Sequence, residues 1–189
     1  MKGARPLTDR EVLDVSQSFS GKYASRDKAL FLLGTKTGFR VSELLSLQVQ
    51  DISQHGKVAD RMSVRRAHMK GKGEGRTIGL NPEAKSALHA WITEAQLTSG
   101  PLFPSQKAPS KPITSVQAWR ILDAAYEANG LTGQLGTHTM RKTFAGKAYT
   151  LLNHDLVNTQ RALGHKNINS TVSYLSFNDT VINDAIMRL

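Results

Sequence analysis

Along most of the chain, apolar positions recur at helical spacing, and the pattern changes character once, near Gly56. Thr8 and Glu11 in "LTDREV" stand three apart, the spacing of a capping box, which predicts a helix starting at residue 8 or 9. "SRDKALFLLGTKTG" predicts a mostly buried helix closed by Gly38. "VSELLSLQVQDI" predicts another, with Ser42 as its cap and Leu44, Leu45 and Leu47 facing the core. Beyond Gly56, "RMSVRRAHMK", the tip "GKGEG" and "RTIGL" predict a β-hairpin. Asn81-Pro82 opens the helix "PEAKSALHAWITEAQ", and residues 98–114, with Pro101, Pro104, Pro109 and Pro112, predict a loop. "SVQAWRILDAAYEANG" predicts a helix ending at Gly130. "THTMRKTFAGKAYTLL", "LVNTQRAL", a short "STVSYLSF" and "DTVINDAIMRL" follow as helices of decreasing length. The expectation is one mainly helical domain with a small antiparallel sheet, an α+β fold without internal repeats.

Size supports that picture, since 189 residues suit one domain, and 39% hydrophobic residues suffice for a core. Charge adds a partner. The formal net charge is +10 and is spread along the chain, which favours a polyanion, nucleic acid being the commonest. The alternative is a basic but unspecialised surface. There is no cysteine, so disulfides, thiol catalysis and cysteine-ligated zinc are excluded. No apolar run approaches the roughly 18 residues of a membrane span, and "MKGARPLTDRE" lacks the apolar stretch of a signal peptide. These features imply a soluble, intracellular protein with no membrane partner.

Four places carry candidate chemistry. Arg40 follows Gly38-Phe39 at a predicted helix junction, where a guanidinium can project into a cleft or simply into solvent. The hairpin carries Arg61, Arg65, Arg66, Lys70, Lys72 and Arg76 against the single Glu74. It could lie along a phosphate backbone or be an ordinary charged hairpin. In "HTMRK", His138 and Arg141 share a helix face and can address one ligand, with Lys142 next in the chain as a further cation. In "LGHKNINSTVSYL", Gly164 is placed to end a helix and present His165, nine residues before Tyr174. Each of these two has a plain alternative, a capping or packing histidine and a core aromatic.

No metal reading competes. The histidines, at positions 55, 68, 89, 138, 154 and 165, form no i,i+4 pair with a nearby carboxylate. Neither a Walker A motif nor a nucleotide fingerprint is present, and acidic residues are sparse around the four places. Two arginines, two histidines, a lysine and a tyrosine make a metal-free phosphoryl-transfer centre. Arginines match the charge that builds on the non-bridging oxygens, and stay cationic at any working pH. A phenol, with an ordinary pKa near 10, needs a base or a strongly cationic site before it attacks.

The ordered motifs "TGFRVSELLSL", "MKGKGEGRTIGL", "HTMRKTFAG" and "LGHKNINSTVSYL" resemble the tyrosine recombinases, the phage-integrase family, and the likeness covers that family's catalytic domain from end to end. The resemblance implies roles. Arg40 and Arg141 would clamp the phosphate, and His138 would assist proton transfer. His165 would hydrogen-bond the scissile phosphate, and Tyr174 would be the nucleophile forming a 3′-phosphotyrosyl link. The lysine is Lys70 or Lys72. Lys70 is favoured because it continues the predicted strand. The stretch to Leu80 differs by a residue from the commoner spacing, and Gly79 stands where the family often has proline.

The resemblance further implies strand cutting and rejoining of double-stranded DNA without ATP, metal or small-molecule cofactor. It implies a tetramer on two DNA sites, with a monomer possible when free, and a cytoplasmic, nucleoid-associated place in a prokaryote or phage. The family's N-terminal DNA-binding domain is expected to be missing, leaving residues 1–189 as a single catalytic domain and a weak DNA affinity. Two other activities fit the same motifs, a DNA-binding module that no longer cleaves and a type IB topoisomerase. The stripe Val181, Ile182, Ala185, Ile186 and Leu189 would either fold back on its own domain or dock on a neighbouring subunit.

Overall fold

The computed structural model describes residues 3–54, 57–64, 76–175 and 187. The chain divides into two compact units, Met1–Phe144 and Ala145–Leu189.

The first unit is built on a helix that has no exposed residue. α1 (Asp9–Ser18) starts on the expected capping box, Thr8 accepting from the Glu11 backbone and Glu11 reaching back to the Thr8 N–H. α2 (Ala24–Thr37) buries Leu30, Phe31, Leu32 and Leu33 in succession, the pattern of a central helix rather than an amphipathic one. Gly38 closes it in the left-handed region, φ 64°, as its position after the last helical turn predicts.

The next stretch departs from expectation. "VSELLSLQVQDI" forms two short helices, α3 (Val41–Ser46) and α4 (Val49–Ile52), and not one. Arg40 occupies the cap position expected of Ser42, which is exposed in the first turn of α3. The break falls at Leu47–Gln48 because the proline-rich loop takes up the backbone there. Leu102 N–H donates to Leu47 at 2.9 Å, and Val49 N–H donates to Gly100 at 2.9 Å. Pro101 sits in this bridge opposite Gln48 without needing an N–H, its neighbours carrying the bonds. The loop is therefore part of the core. Leu102 and Phe103 are buried, and Trp91 donates its indole N–H to the Leu102 carbonyl at 2.8 Å. Leu44, Leu45 and Leu47 are buried as expected.

A two-residue antiparallel pair, β1 (Ser53–Gln54) with β2 (Lys57–Val58), precedes the hairpin and was not legible in the residue pattern. The hairpin itself is present as β3 (Arg61–Val64) against β4 (Arg76–Gly79), antiparallel, with Arg61 opposite Gly79 and Val64 opposite Arg76. α5 (Pro82–Glu94) begins on Asn81, whose side-chain oxygen accepts from the Glu83 N–H at 2.9 Å, and packs along α2. α6 (Ser115–Ala128) carries Trp119 on an exposed face.

α7 (Thr137–Leu151) begins in the first unit and ends in the second. In the second unit Asn153 and His154, both with positive φ, turn the chain into α8 (Leu156–Leu163), capped by Asp155. The last described helix is α9 (Ile168–Val172). It begins earlier than "STVSYLSF" suggests, and it ends before Tyr174, which lies in the turn that follows. The helices from α7 to α9 shorten as expected, while "DTVINDAIMRL" and its apolar stripe lie outside the described residues, Met187 excepted.

Two outcomes follow for stability. Gly38→Ala forces a side chain into a left-handed position where its Cβ would overlap the ring of Phe144, and is expected to cost about 1–3 kcal/mol in chemical denaturation. The Arg5 guanidinium grips both oxygens of Glu11, at 2.6 and 3.0 Å, and holds its carboxyl at about 2, below the ordinary 4.5. A depressed carboxylate stabilises the fold above its unfolded pKa and ceases to as pH falls through the folded one. Thermal midpoints of the chain and of Glu11→Gln should therefore differ near neutrality and converge as pH falls from 4.5 to about 2.

Candidate active site

In the first unit the site grows from the end of α2. Because Gly38 turns the chain and Phe39 is buried beneath it, Arg40 leaves the junction in an extended conformation, φ −68° and ψ 152°. Its backbone N–H donates to Glu43 Oε2 at 2.7 Å, and its Nη1 donates to Glu43 Oε1 at 3.0 Å. This is the acidic half of a capping box. The reciprocal half cannot form, since a guanidinium has no acceptor. Glu43 is only 1% exposed.

Arg141, one turn into α7 and also 1% exposed, faces the same carboxylate. Its Nη1 lies 4.0 Å from Glu43 Oε2 and donates to the carbonyl of Gly38. One buried carboxylate thus serves two arginines, and the turn that releases Arg40 also anchors Arg141. His138 lies one helical turn before Arg141 and is exposed. Arg40, Val41, Ser42, Thr137, His138 and Arg141 line a hollow of about 190 Å³. That is below the roughly 300–1,000 Å³ of a pocket for a drug-sized ligand, and suits a single small anionic group. A wider groove of about 840 Å³ lies between β2 and the start of α5. Its Lys85 is tied to Asp60, and it holds none of the singled-out residues.

In the second unit Gly164, φ 65°, ends α8 as the sequence predicts and presents His165. Gln160 then holds the backbone of His165 at both ends. Its carbonyl accepts from the His165 N–H at 3.1 Å, and its amide donates to the His165 carbonyl at 2.9 Å. The ring of His165 is buried, its Nδ1 lying 2.9 Å from the Thr171 hydroxyl. Tyr174 is half-buried. Its ring meets that of His165 edge to face, with centroids 5.1 Å apart.

The structure therefore brings Arg40, His138 and Arg141 together in the first unit, and His165 with Tyr174 in the second. Lys142 follows Arg141 on α7 and is half-buried. Arg65, Arg66, Lys70 and Lys72 lie outside the described residues, and of Arg76 only the backbone is described. Among the described residues, no group of three or more His, Cys, Asp or Glu side chains could hold a metal ion. Sequence reasoning missed Glu43, although Arg40 and Glu43 have capping-box spacing, because Arg is not a capping residue. It also missed Gln160 and Thr171, which touch His165 only through the folded turn.

The profile of the Phage integrase family matches residues 7–180. The chain belongs to that family. It is 30% identical to the probable integrase/recombinase YoeC of Bacillus subtilis (strain 168), over 93% of this chain and 91% of that protein. It is 28% identical to the tyrosine recombinase XerC of Caldanaerobacter subterraneus subsp. tengcongensis, over 96% of this chain and 50% of that one. Among solved structures, XerH site-specific recombinase bound to palindromic difH substrate in a post-cleavage complex superposes with a TM-score of 0.78 at 26% identity, covering 96% of this chain and 51% of that one. A lambda integrase dimer bound to a core site shares the fold, with a TM-score of 0.69 at 21% identity, over 92% of this chain and 48% of that one. The chain thus spans about half the length of XerC and of the XerH and lambda structures, and about nine-tenths of YoeC. The mainly helical architecture with a small antiparallel sheet is that of tyrosine recombinase catalytic domains, and by family and fold the chain is a tyrosine recombinase.

Removing the shared carboxylate is expected to be costly. Glu43→Ala leaves two guanidinium groups without their anion, one of them fully buried, and should lower stability by about 3–5 kcal/mol in urea titrations. Glu43→Gln keeps the hydrogen-bond acceptor, and should fall between that variant and the parent.

Proposed function

We propose that this chain is a site-specific recombinase catalytic domain that cuts and rejoins double-stranded DNA through Tyr174. The reading is carried by the arginine pair organised on one buried carboxylate beside His138, in a chain of the phage-integrase family. Arg40 and Arg141 hold the non-bridging oxygens of the scissile phosphodiester, where negative charge builds in the transition state. The Tyr174 oxygen attacks phosphorus and loses its proton, with His138 assisting the transfer. The bond to the 5′ oxygen breaks, and a lysine of the hairpin, Lys70 in preference to Lys72, protonates that oxygen. The products are a 3′-phosphotyrosyl link and a free 5′-hydroxyl. Reversing the same steps with a 5′-hydroxyl from another strand completes the exchange. The phosphodiester's energy is kept in the covalent link, so the reaction consumes no ATP, and the arginines supply the charge a metal would.

DNA is the partner that the +10 charge suits, and Arg65, Arg66, Arg76 and Lys142 are the proposed backbone contacts. Residues 1–189 would act as one catalytic domain, as a tetramer on two DNA sites and as a monomer when free. The place of action is the cytoplasm, beside the nucleoid and any mobile element the enzyme moves. Support comes from the bacterial relatives, and no described helix is long and apolar enough to cross a membrane.

Incubation with a nicked target duplex should trap a protein–DNA adduct resistant to denaturation. Tyr174→Phe should give none, and Arg40→Ala should slow its formation by about 10²-fold or more. An adduct that persists in the Phe variant would overturn the assignment. Salt-sensitive binding without an adduct on any substrate would instead identify a non-cleaving binder.

A further inference from the structure

The hydroxyl of Thr171 has an unusual partner for its place in the fold. Three buried hydroxyls on helices, those of Thr35, Thr37 and Thr159, donate to carbonyls three or four residues back. Thr171, fully buried in α9, does not. Among the described residues its hydroxyl has a single hydrogen-bond partner, Nδ1 of His165 at 2.9 Å. The imidazole is buried too, and Gln160 fixes its backbone from both sides, so ring and hydroxyl are held in register by the fold.

This pairing has a preferred direction. If the hydroxyl donates, Nδ1 accepts and both groups are satisfied, with the ring neutral and its proton on Nε2. If Nδ1 carries the proton, the threonine oxygen accepts it and the buried hydroxyl hydrogen is left without an acceptor among the described residues. Buried donors are rarely left unmet, because their lost hydration is not repaid. The imidazolium suffers the same defect, since it too carries a proton on Nδ1.

We propose that Thr171 is a positioning residue that holds His165 in the neutral Nε2–H tautomer, so that the ring offers the phosphodiester a hydrogen-bond donor and not a base. The proposal rests on the reading above that His165 serves the scissile phosphate. Within that reading it separates the two histidines, leaving proton transfer to His138.

Nitrogen-15 spectra of the free protein, with His165 assigned by its loss in His165→Gln, read the tautomer directly. The expected pattern is a protonated Nε2 and an unprotonated Nδ1. Thr171→Val, which keeps shape but not the hydroxyl, should convert this into a tautomer mixture and slow adduct formation on a nicked duplex about tenfold, the loss of one hydrogen bond. Thr171→Ser should restore both. A parent spectrum with Nδ1 protonated overturns the proposal, as does a Val variant whose His165 pattern matches the parent. Should Thr171→Val not fold, the parent spectrum and the Ser variant still decide. The two readings also fail separately. A parent protein that forms no adduct on any duplex defeats the proposed function, whereas the tautomer pattern is measured without DNA.

Discussion

Glu43 is the point on which the arginine cluster of the protein depends. Two guanidinium groups cannot be held close together inside a protein unless an anion offsets their repulsion and the lost hydration of the buried one. A single carboxylate does this here. It takes the Arg40 backbone and side chain on its two oxygens and has Arg141 4.0 Å away. The same residue starts α3, so the electrostatics of the cluster and the local secondary structure are one arrangement. The Gly38 turn completes it, since its left-handed backbone both directs the chain to Arg40 and offers a carbonyl to Arg141.

Much of this framework was legible because its signals are local. Gly38 and Gly164 mark helix ends through their tolerance of positive φ, and the residues just after them, Arg40 and His165, are the ones presented. The Thr8 capping box, the Asn81-Pro82 start and the basic hairpin were likewise visible in spacing alone. What escaped was long-range. The split between α3 and α4 is imposed by a loop some fifty residues downstream that pairs with Leu47 and Val49. No window around those residues contains that information. Nor do "GHKNINST" or "FRVSE" announce that a threonine will meet an imidazole or that a carboxylate will be shared. Side-chain partnerships of this kind depend on which face of a turn each group leaves.

The proline-rich segment gives a related lesson. Four prolines between residues 101 and 112 predict a loop, and a loop it is, yet Leu102 and Phe103 are buried within it. Its polar backbone is accommodated by bridging to Gln48, by the return of Ile113 to Phe103, and by the Trp91 indole. Composition identified the absence of regular structure correctly and said nothing of burial.

Tyr174 lies beyond the last turn of a helix only five residues long. A helix that short has no stability of its own, and persists through the contacts its side chains make. Arg40 and Arg141, by contrast, are tied into the main core through Glu43 and the Gly38 turn. The arginine cluster and Tyr174 are thus underwritten by different parts of the molecule. Sequence change can accordingly loosen one of these parts while leaving the other almost untouched, so the two are free to drift apart among its descendants.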